Sequence, residues 1–408
     1  MRTPREAIAE ILKHTEPLEE VEQVELRHAS GRVLCRGIVS DVDLPPFEKS
    51  MMDGFGLRAA DSSEGSWSLD IVGEARAGEL FAGEVGLGQA VAIYTGAALP
   101  TGVDAVQMIE NTRSEGARVF SSGRVPAGSH VAHKGEVLAK GSSVLSRGHR
   151  VTPVDLTLLA AVGADPTPVF RRPRISILTT GDELVAPSEL PGPSQIREGN
   201  TIFLAAAAAL FSPGCEVIEV RVIRDDPAAL EAAFARALEE GDALVTTGGV
   251  SMGRYDLVGA ALEAIGVEPI LHKVAIKPGK PIWFGKYGKK PVFGLPGNPV
   301  SSLLGFEVFV RPALAALGGA GPEELAERLS LGRWDGPSRA ADDRQLNLPV
   351  SVTRGADGVL ELAPAAWKGS ADVAGLASAS GFAVLPPDSA VARGELISWR
   401  PFAGTQPS

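Results

Sequence analysis

The spacing of apolar residues changes several times along this chain, and each change marks a boundary. Residues 4–14, "PREAIAEILKH", read as a short amphipathic helix, and "VEQVELRHA" then alternates as a strand does. The Pro45-Pro46 pair in "VSDVDLPPFEKS" forbids helix, because each proline fixes φ and biases the preceding residue to an extended backbone. From Trp67 to about Leu145, short alternating runs ("SLDIVGEA", "AVAIYTG", "AVQMIEN") are interrupted by glycines, the pattern of a small all-β domain. An apolar helix returns in "TPVDLTLLAAVGA", with Thr152 or Asp155 as its cap and Gly163 near its end.

The texture then shifts. Between Arg174 and about Gly319, apolar β runs ("RISILTT", "CEVIEVRVI", "DALVTTGG") alternate with helical ones ("TIFLAAAAALF", "DPAALEAAFARALEEG"). Such alternation predicts a three-layer α/β domain around a mostly parallel sheet. After "GAGPEELAERL" the β pattern resumes in "LNLPVSVTR", "VLELAPA", "GFAVLPP" and "GELISWRPF", giving a last small β domain. The fold class is therefore multidomain α/β plus β.

Composition narrows the function. With 408 residues the chain needs more than one core. Its 39 basic against 50 acidic residues, a net charge of -11, argue against nucleic-acid or anionic-membrane binding, so any anionic ligand is held locally. Cys35 and Cys215 lie far apart in apolar contexts and read as buried thiols of a reducing compartment. The N-terminal stretch lacks an apolar run with a cleavage site, and "IFLAAAAALF" falls short of the roughly 18 residues that span a bilayer. These features lead to the expectation of a cytoplasmic enzyme or binding protein.

The polar turns of the α/β region are not scattered. "TTGDE", "RDD", "TTGGVSMGRYD" and "LPGNPVSS" each follow a predicted strand, and in a parallel sheet those carboxyl ends share one edge, where open α/β folds bind ligands. Gly248, Gly249 and Gly297 would leave backbone N–H groups open, and Asn298 and the hydroxyls of Ser251, Ser301 and Ser302 lie near helix starts, which favour anions. Glu183, Asp225 and Asp256 supply hard oxygen ligands of the kind Mg²⁺ takes beside substrate phosphates. "HKVAIKPGKP" adds Lys273, Lys277 and Lys280; if extended, it points Lys273 and Lys277 to one face. Each element also has a plainer reading. "TTGD" alone is an ordinary turn, Asp226-Pro227 and Asn298-Pro299 are helix caps, and the lysine segment alone is a solvated turn. Their convergence favours a site for a phosphorylated ligand with a divalent metal.

A second group lies earlier. "SMMDGFGLRAAD" places Asp53 after Met51 and Met52, either as a presented carboxylate or as a turn with methionines packed beneath it. Thr95 in "IYTGAALPTGVD" ends a strand as a turn hydroxyl or a ligand contact. His130 and His133 sit in a glycine-rich β region without further ligand candidates, and no G-x-G-x-x-G, P-loop, H-E-x-x-H or paired C-x-x-C motif occurs.

Taken together, "SMMDGFGLRAAD", "YTGAALPTGVDAVQMIE", "ILTTGDEL", "IRDDP", "TTGGVSMGRYD", "KVAIKPGKP" and "GLPGNPVSS" resemble, in this order, the molybdopterin molybdenumtransferase family, whose eukaryotic relative is the E domain of gephyrin. The resemblance implies an elongated N-terminal domain from residues 1–45 and 140–172 and a small β domain at 46–139. It further implies an α/β molybdopterin-binding domain at 173–320 and a C-terminal β-barrel-like domain at 325–404. It implies insertion of molybdate into adenylylated molybdopterin, with Mg²⁺ and release of AMP. Asp53, Thr95, Glu183, Asp225, Asp256, Lys273 and Lys277 match the family's functional positions, and Ser370 in "WKGSADVAGLASA" resembles a C-terminal contact residue. A homodimer with composite sites is implied, as are contacts with a molybdopterin adenylyltransferase and with molybdoenzymes or cofactor carriers. Two departures concern ligand contacts: Glu198-Gly199, where the family has aspartate and a small polar residue, and Val258, where a lysine is common. The alternatives are an adenylyltransferase acting on molybdopterin and a non-catalytic cofactor-binding scaffold.

Overall fold

Thr3 starts the first helix, Pro4–Lys13. Its Oγ1 accepts from the Glu6 N–H at 3.3 Å while Glu6 Oε2 accepts from the Thr3 N–H at 2.8 Å, a reciprocal cap that satisfies two otherwise orphaned donors. Ala7 and Ile11 on its apolar side are buried in the core of the α/β domain. The structure is a computed structural model that describes residues 1–211, 215–249, 257–325, 327 and 329–402. They fall into two units, one of Met1–Arg36, Arg147–Pro153 and Pro166–Ser408, the other of Gly37–Ser146 and Val154–Asp165.

In the first unit, the α/β domain is built on β1 (Arg174–Thr180), β2 (Glu216–Ile223), β3 (Ala243–Thr247), β4 (Glu268–His272), β5 (Trp283–Tyr287) and β6 (Lys290–Leu295), in the order β2-β1-β3-β6-β5-β4. β2, β1, β3 and β6 are parallel neighbours, β5 is antiparallel, and β4 regains the common direction. Both faces are covered, which explains the unbroken apolar runs of the central strands. Ile175 and Ile177 of β1 pack with Leu204 of α1 (Asn200–Phe211) and Phe309 on one face. Leu178, one step on, packs on the other face with Phe234 of α2 (Pro227–Glu240) and Leu262 of α3 (Leu257–Ala264). The expected three layers are present.

The last helix of this domain, α4, runs through Pro299–Leu317 with a π turn at Phe306–Val310. Among the described residues it is the one helix long and apolar enough to cross a membrane, but 94% of that stretch is buried, so its apolarity serves the core. The chain then closes a β-barrel. Gln345–Arg354 pairs with Leu360–Pro364 on one side and with Gly381–Leu385 on the other, and Ser330–Trp334 and Leu396–Pro401 complete the ring. One edge of it is fed from elsewhere: the two-residue strand Ile276–Lys277 pairs in parallel with Gln345 and Leu346.

The second unit holds a six-stranded sheet in which Gly54–Leu57 lies between Ala105–Met108 and Gln89–Ile93. Asp53 immediately precedes Gly54–Leu57, and Thr95 follows Gln89–Ile93 by two positions. Antiparallel pairing of Gly54 with Ile93 brings these ends together. Met51 and Met52 are 53% and 38% exposed, so the methionines do not pack beneath the turn.

Candidate active site

The carboxyl ends of β1, β2, β3 and β6 share one edge, as the parallel order requires, and that edge forms one wall of a cavity of about 840 Å³. Thr180, Glu183, Asn200, Asp225, Gly248 and Asn298 are among its lining residues, so turns far apart in sequence do converge.

Local physics fixes each of them. Asp225 accepts from the Thr180 hydroxyl at Oδ1 and from the Asp182 N–H at Oδ2, 3.3 Å away, while its own N–H donates to Asp182 Oδ1 at 3.3 Å. This reciprocal bonding ties the turn after β1 to the turn after β2. Asp226 next to it is the helix cap, accepting from the Ala229 N–H at 2.8 Å with Pro227 in the first turn. That separation leaves Asp225 to face the cavity. Glu183 stands exposed on the rim where Leu184–Val185 pairs with Ile196–Arg197.

Gly248 and Gly249 have φ of 88° and 64°, a left-handed backbone that side-chain-bearing residues adopt at a cost of about 1–2 kcal/mol. A Cβ at 248 would lie 2.8 Å from the Thr180 carbonyl oxygen, and one at 249 would lie 2.5 Å from Val258 Cγ2. The paired glycines therefore answer first to the protein's own crowding, and the Gly248 N–H, expected to be open, donates to the Leu295 carbonyl at 3.1 Å. The same contact explains Val258: it is fully buried against the turn, a place where a lysine ammonium would be desolvated.

Asn200, not singled out in the sequence, holds the edge together. Its Nδ2 donates to the Gly297 carbonyl at 2.6 Å and to Thr247 Oγ1 at 3.2 Å, joining α1 to the turns after β3 and β6. Thr247 Oγ1 in turn donates to the Pro296 carbonyl at 3.1 Å. Glu198 is buried and accepts from the Thr201 N–H and hydroxyl, both at 2.8 Å. Its carboxylate is a helix cap, so this departure from the family pattern is absorbed by local structure.

Other expected residues are placed differently from the sequence reading. Ser301 and Ser302 are buried at 3% and 0% exposure, with Ser302 Oγ 3.3 Å from Thr247 Oγ1, so their hydroxyls are not the open groups expected from the helix start. Asn298 occupies the cap position of α4 without a side-chain cap bond; its Nδ2 donates to Ser370 Oγ at 3.1 Å. The Val300 N–H donates to the Ser370 carbonyl at 3.1 Å, which sets Ser370 beside the cavity rim. Ser251 and Asp256 lie outside the described residues.

The lysine segment is not extended. Lys273 follows β4 with φ 70°, its N–H donating to the Ile282 carbonyl at 2.9 Å, and the chain doubles back through Lys280, whose carbonyl accepts from the Val274 N–H. Neither Lys273 nor Lys280 is among the residues that line the cavity of about 840 Å³; Lys273 instead lines a separate cavity with Arg2, Glu6 and Glu10. Lys277 belongs to the strand added to the barrel, and its Nζ is 2.9 Å from Asp342 Oδ2. Hydrogen bonds from Lys277 and Arg344 lower the Asp342 carboxyl to about 2.

In the second unit, Asp53 Oδ1 accepts from the Thr95 N–H at 2.7 Å and from its hydroxyl at 2.8 Å. These two bonds hold the exposed carboxyl below the usual aspartate range. His133 Nδ1 lies 3.2 Å from Glu48 Oε1, and among the described residues no group of three or more His, Cys, Asp or Glu is placed to hold a metal.

Comparison with known proteins decides the family. A profile described as MoeA N-terminal region (domain I and II) matches residues 2–163, and one described as probable molybdopterin binding domain matches residues 176–316. Over 395 residues the chain is 33% identical to a molybdopterin molybdenumtransferase of Haemophilus influenzae, covering 94% of each protein. The chain belongs to the molybdopterin molybdenumtransferase family. A Bacillus subtilis member is 34% identical over 382 residues, 91% of this chain and 87% of that one. The crystal structure of the molybdopterin biosynthesis MoeA protein from Pyrococcus horikoshii superimposes with a TM-score of 0.83 at 30% identity, over 98% of this chain and 99% of that one. Similarity to this family thus runs through both units and the barrel.

Proposed function

We propose that the cavity at the carboxyl ends of β1, β2, β3 and β6 is where this chain, a molybdenumtransferase of molybdenum cofactor biosynthesis, inserts molybdate into adenylylated molybdopterin and releases AMP. The observation that carries this placement is the convergence of Glu183, Asp225, Asn298 and the glycine turns at Gly248-Gly249 and Gly297 around one cavity at the sheet edge. Such an edge suits a phosphorylated substrate: Gly181, Gly248, Gly249 and Gly297 keep bulky side chains off the cavity wall, and Lys273 and Lys280, in the segment after β4, are the cations we assign to offset the repulsion between molybdate and the pterin's negative charges.

Mg²⁺ belongs to this reading. Asp225 and Glu183 are carboxylates on one cavity wall, and Mg²⁺ commonly takes one or two carboxylates together with phosphate oxygens, so the donor set fits. The ion would neutralise charge on the departing AMP phosphate. Asp225 is preset for that role because the Thr180 hydroxyl and the Asp182 N–H fix its orientation. Asp256 and Ser251 join the site by family pattern, and Ser370, bonded to Asn298, extends it towards the barrel.

The assembly we propose is a homodimer in which Asp53 and Thr95 of one copy complete the cavity of the other. Ile202 and Leu210 on α1, 53% and 68% exposed, offer an apolar face for association. A cytoplasmic location fits Cys35 and Cys215, both free thiols. The adenylyltransferase that supplies the substrate and the molybdoenzymes or carriers that accept the product are the partners. Asp225→Asn keeps the side chain's size but removes its charge and one of its two acceptor oxygens. It should bind adenylylated molybdopterin in calorimetry yet lose Mg²⁺-dependent AMP release by at least about a hundredfold, in the range seen when one electrostatic contributor to a transition state is removed. Undiminished release would take Asp225 out of the mechanism.

A further inference from the structure

We infer that the chain carries a second binding site, for a small organic monoanion with an apolar body, where the N-terminal helix, α4 and the strand Leu396–Pro401 meet. A cavity of about 380 Å³ opens there, separate from the sheet edge. Its walls are the apolar side chains of Ile8, Leu12 and Val308. Its charges are Arg311 and Arg400 beside Glu307 and Glu327, with the exposed Arg5 also on its wall.

The side chains of Arg311, Glu307 and Arg400 are buried, and Arg400 is incompletely satisfied. Arg311 Nε stands 3.3 Å from Glu307 Oε2, with the two side chains 10% and 1% exposed. The Arg400 side chain is 2% exposed; one terminal nitrogen pairs with Glu327, but its Nε N–H has no acceptor among the described residues. A charged donor withdrawn from water without a partner is costly, and in an apolar pocket a carboxylate oxygen is the group that relieves it. A hydrocarbon body of a few carbons would fill the space between Ile8, Leu12 and Val308, giving the mix of apolar wall and few convergent polar groups typical of small-molecule sites. None of the residues that line it borders the active-site cavity.

The test is calorimetry of the full chain with hexanoate, run beside 1-hexanol and hexylammonium as neutral and cationic controls of equal length. Hexanoate should bind once per chain, with both controls at least about tenfold weaker, a difference of about 1.4 kcal/mol. Arg400→Met should weaken hexanoate by a similar factor. Because Arg400 pairs with Glu327 and that variant can fail to fold, Ile8→Trp is the second arm. It fills the cavity from a partly exposed helix position without touching a charge, and should abolish hexanoate binding while AMP release from adenylylated molybdopterin stays unchanged. Absence of hexanoate binding to the wild-type chain, equal binding of 1-hexanol, or full binding by Ile8→Trp would each overturn the proposal.

Discussion

Lys277 and Asp342 show what a side chain's type does and does not reveal. The lysine was legible as a cation near an anion site, but its carboxylate partner is 65 positions away, and only the barrel's closure sets Nζ 2.9 Å from Oδ2. The sign of the pH effect follows. The Asp342 carboxyl is lowered to about 2, first by Lys277 and then by Arg344, so its favourable contribution is fully present above the ordinary aspartate value near 3.9 and is lost as pH falls towards 2. Carbon-detected NMR titration of Asp342 should give a midpoint near 2 in the wild-type chain and a higher one in Lys277→Met. An unchanged midpoint in that variant would mean that the ion pair does not form in solution. Asp53 and Thr95 were each singled out in the sequence, but their direct bond was not, since the partners are 42 positions apart.

At the level of elements, strand and helix alternation was readable because both faces of the sheet are buried and the central strands are mostly apolar, with small hydroxyl residues towards their carboxyl ends. Parallel order then forced the polar turns onto one edge. What escaped was short or locally bent. Ile276–Lys277 has too few residues to show a period, and the turn at Lys273, with φ 70°, breaks the extended run that the sequence suggested. The serines after Asn298 were taken for open hydroxyls because they follow a helix start, whereas the helix they begin is buried almost throughout. The glycine pair gives the sharpest prediction at this scale. Gly248→Ala must adopt φ near 88° and place its Cβ 2.8 Å from the Thr180 carbonyl oxygen. It should lower unfolding free energy by about 1–2 kcal/mol, the usual cost of a left-handed backbone for an L-residue, measured as a reduced urea midpoint with unchanged slope. A variant as stable as wild type would show that the turn relaxes and that the glycine serves the ligand alone.

On the scale of the whole molecule, the Asp53–Thr95 pair and the cavity of the sheet edge belong to different units of the chain. The proposed homodimer makes a definite prediction. Asp53→Asn and Asp225→Asn chains, each inactive alone, should on mixing form heterodimers in which one shared site carries both changes and the other carries neither. Activity per heterodimer should return to about half that of the wild-type dimer, by the two-site count of a twofold assembly. Heterodimers that stay inactive, although both variants are folded and dimeric, would assign each site to a single chain.

The central claim is metal insertion with loss of AMP, and one assay addresses it most directly. Purified protein is given adenylylated molybdopterin, molybdate and Mg²⁺, and AMP and molybdenum-loaded pterin are quantified together; a parallel sample receives molybdopterin and ATP, with pyrophosphate as its readout. The account predicts AMP and loaded cofactor in equal amounts, dependent on molybdate, and no pyrophosphate in the parallel sample. Pyrophosphate from ATP without AMP release from the adenylylated pterin would contradict it and identify an adenylyltransferase instead.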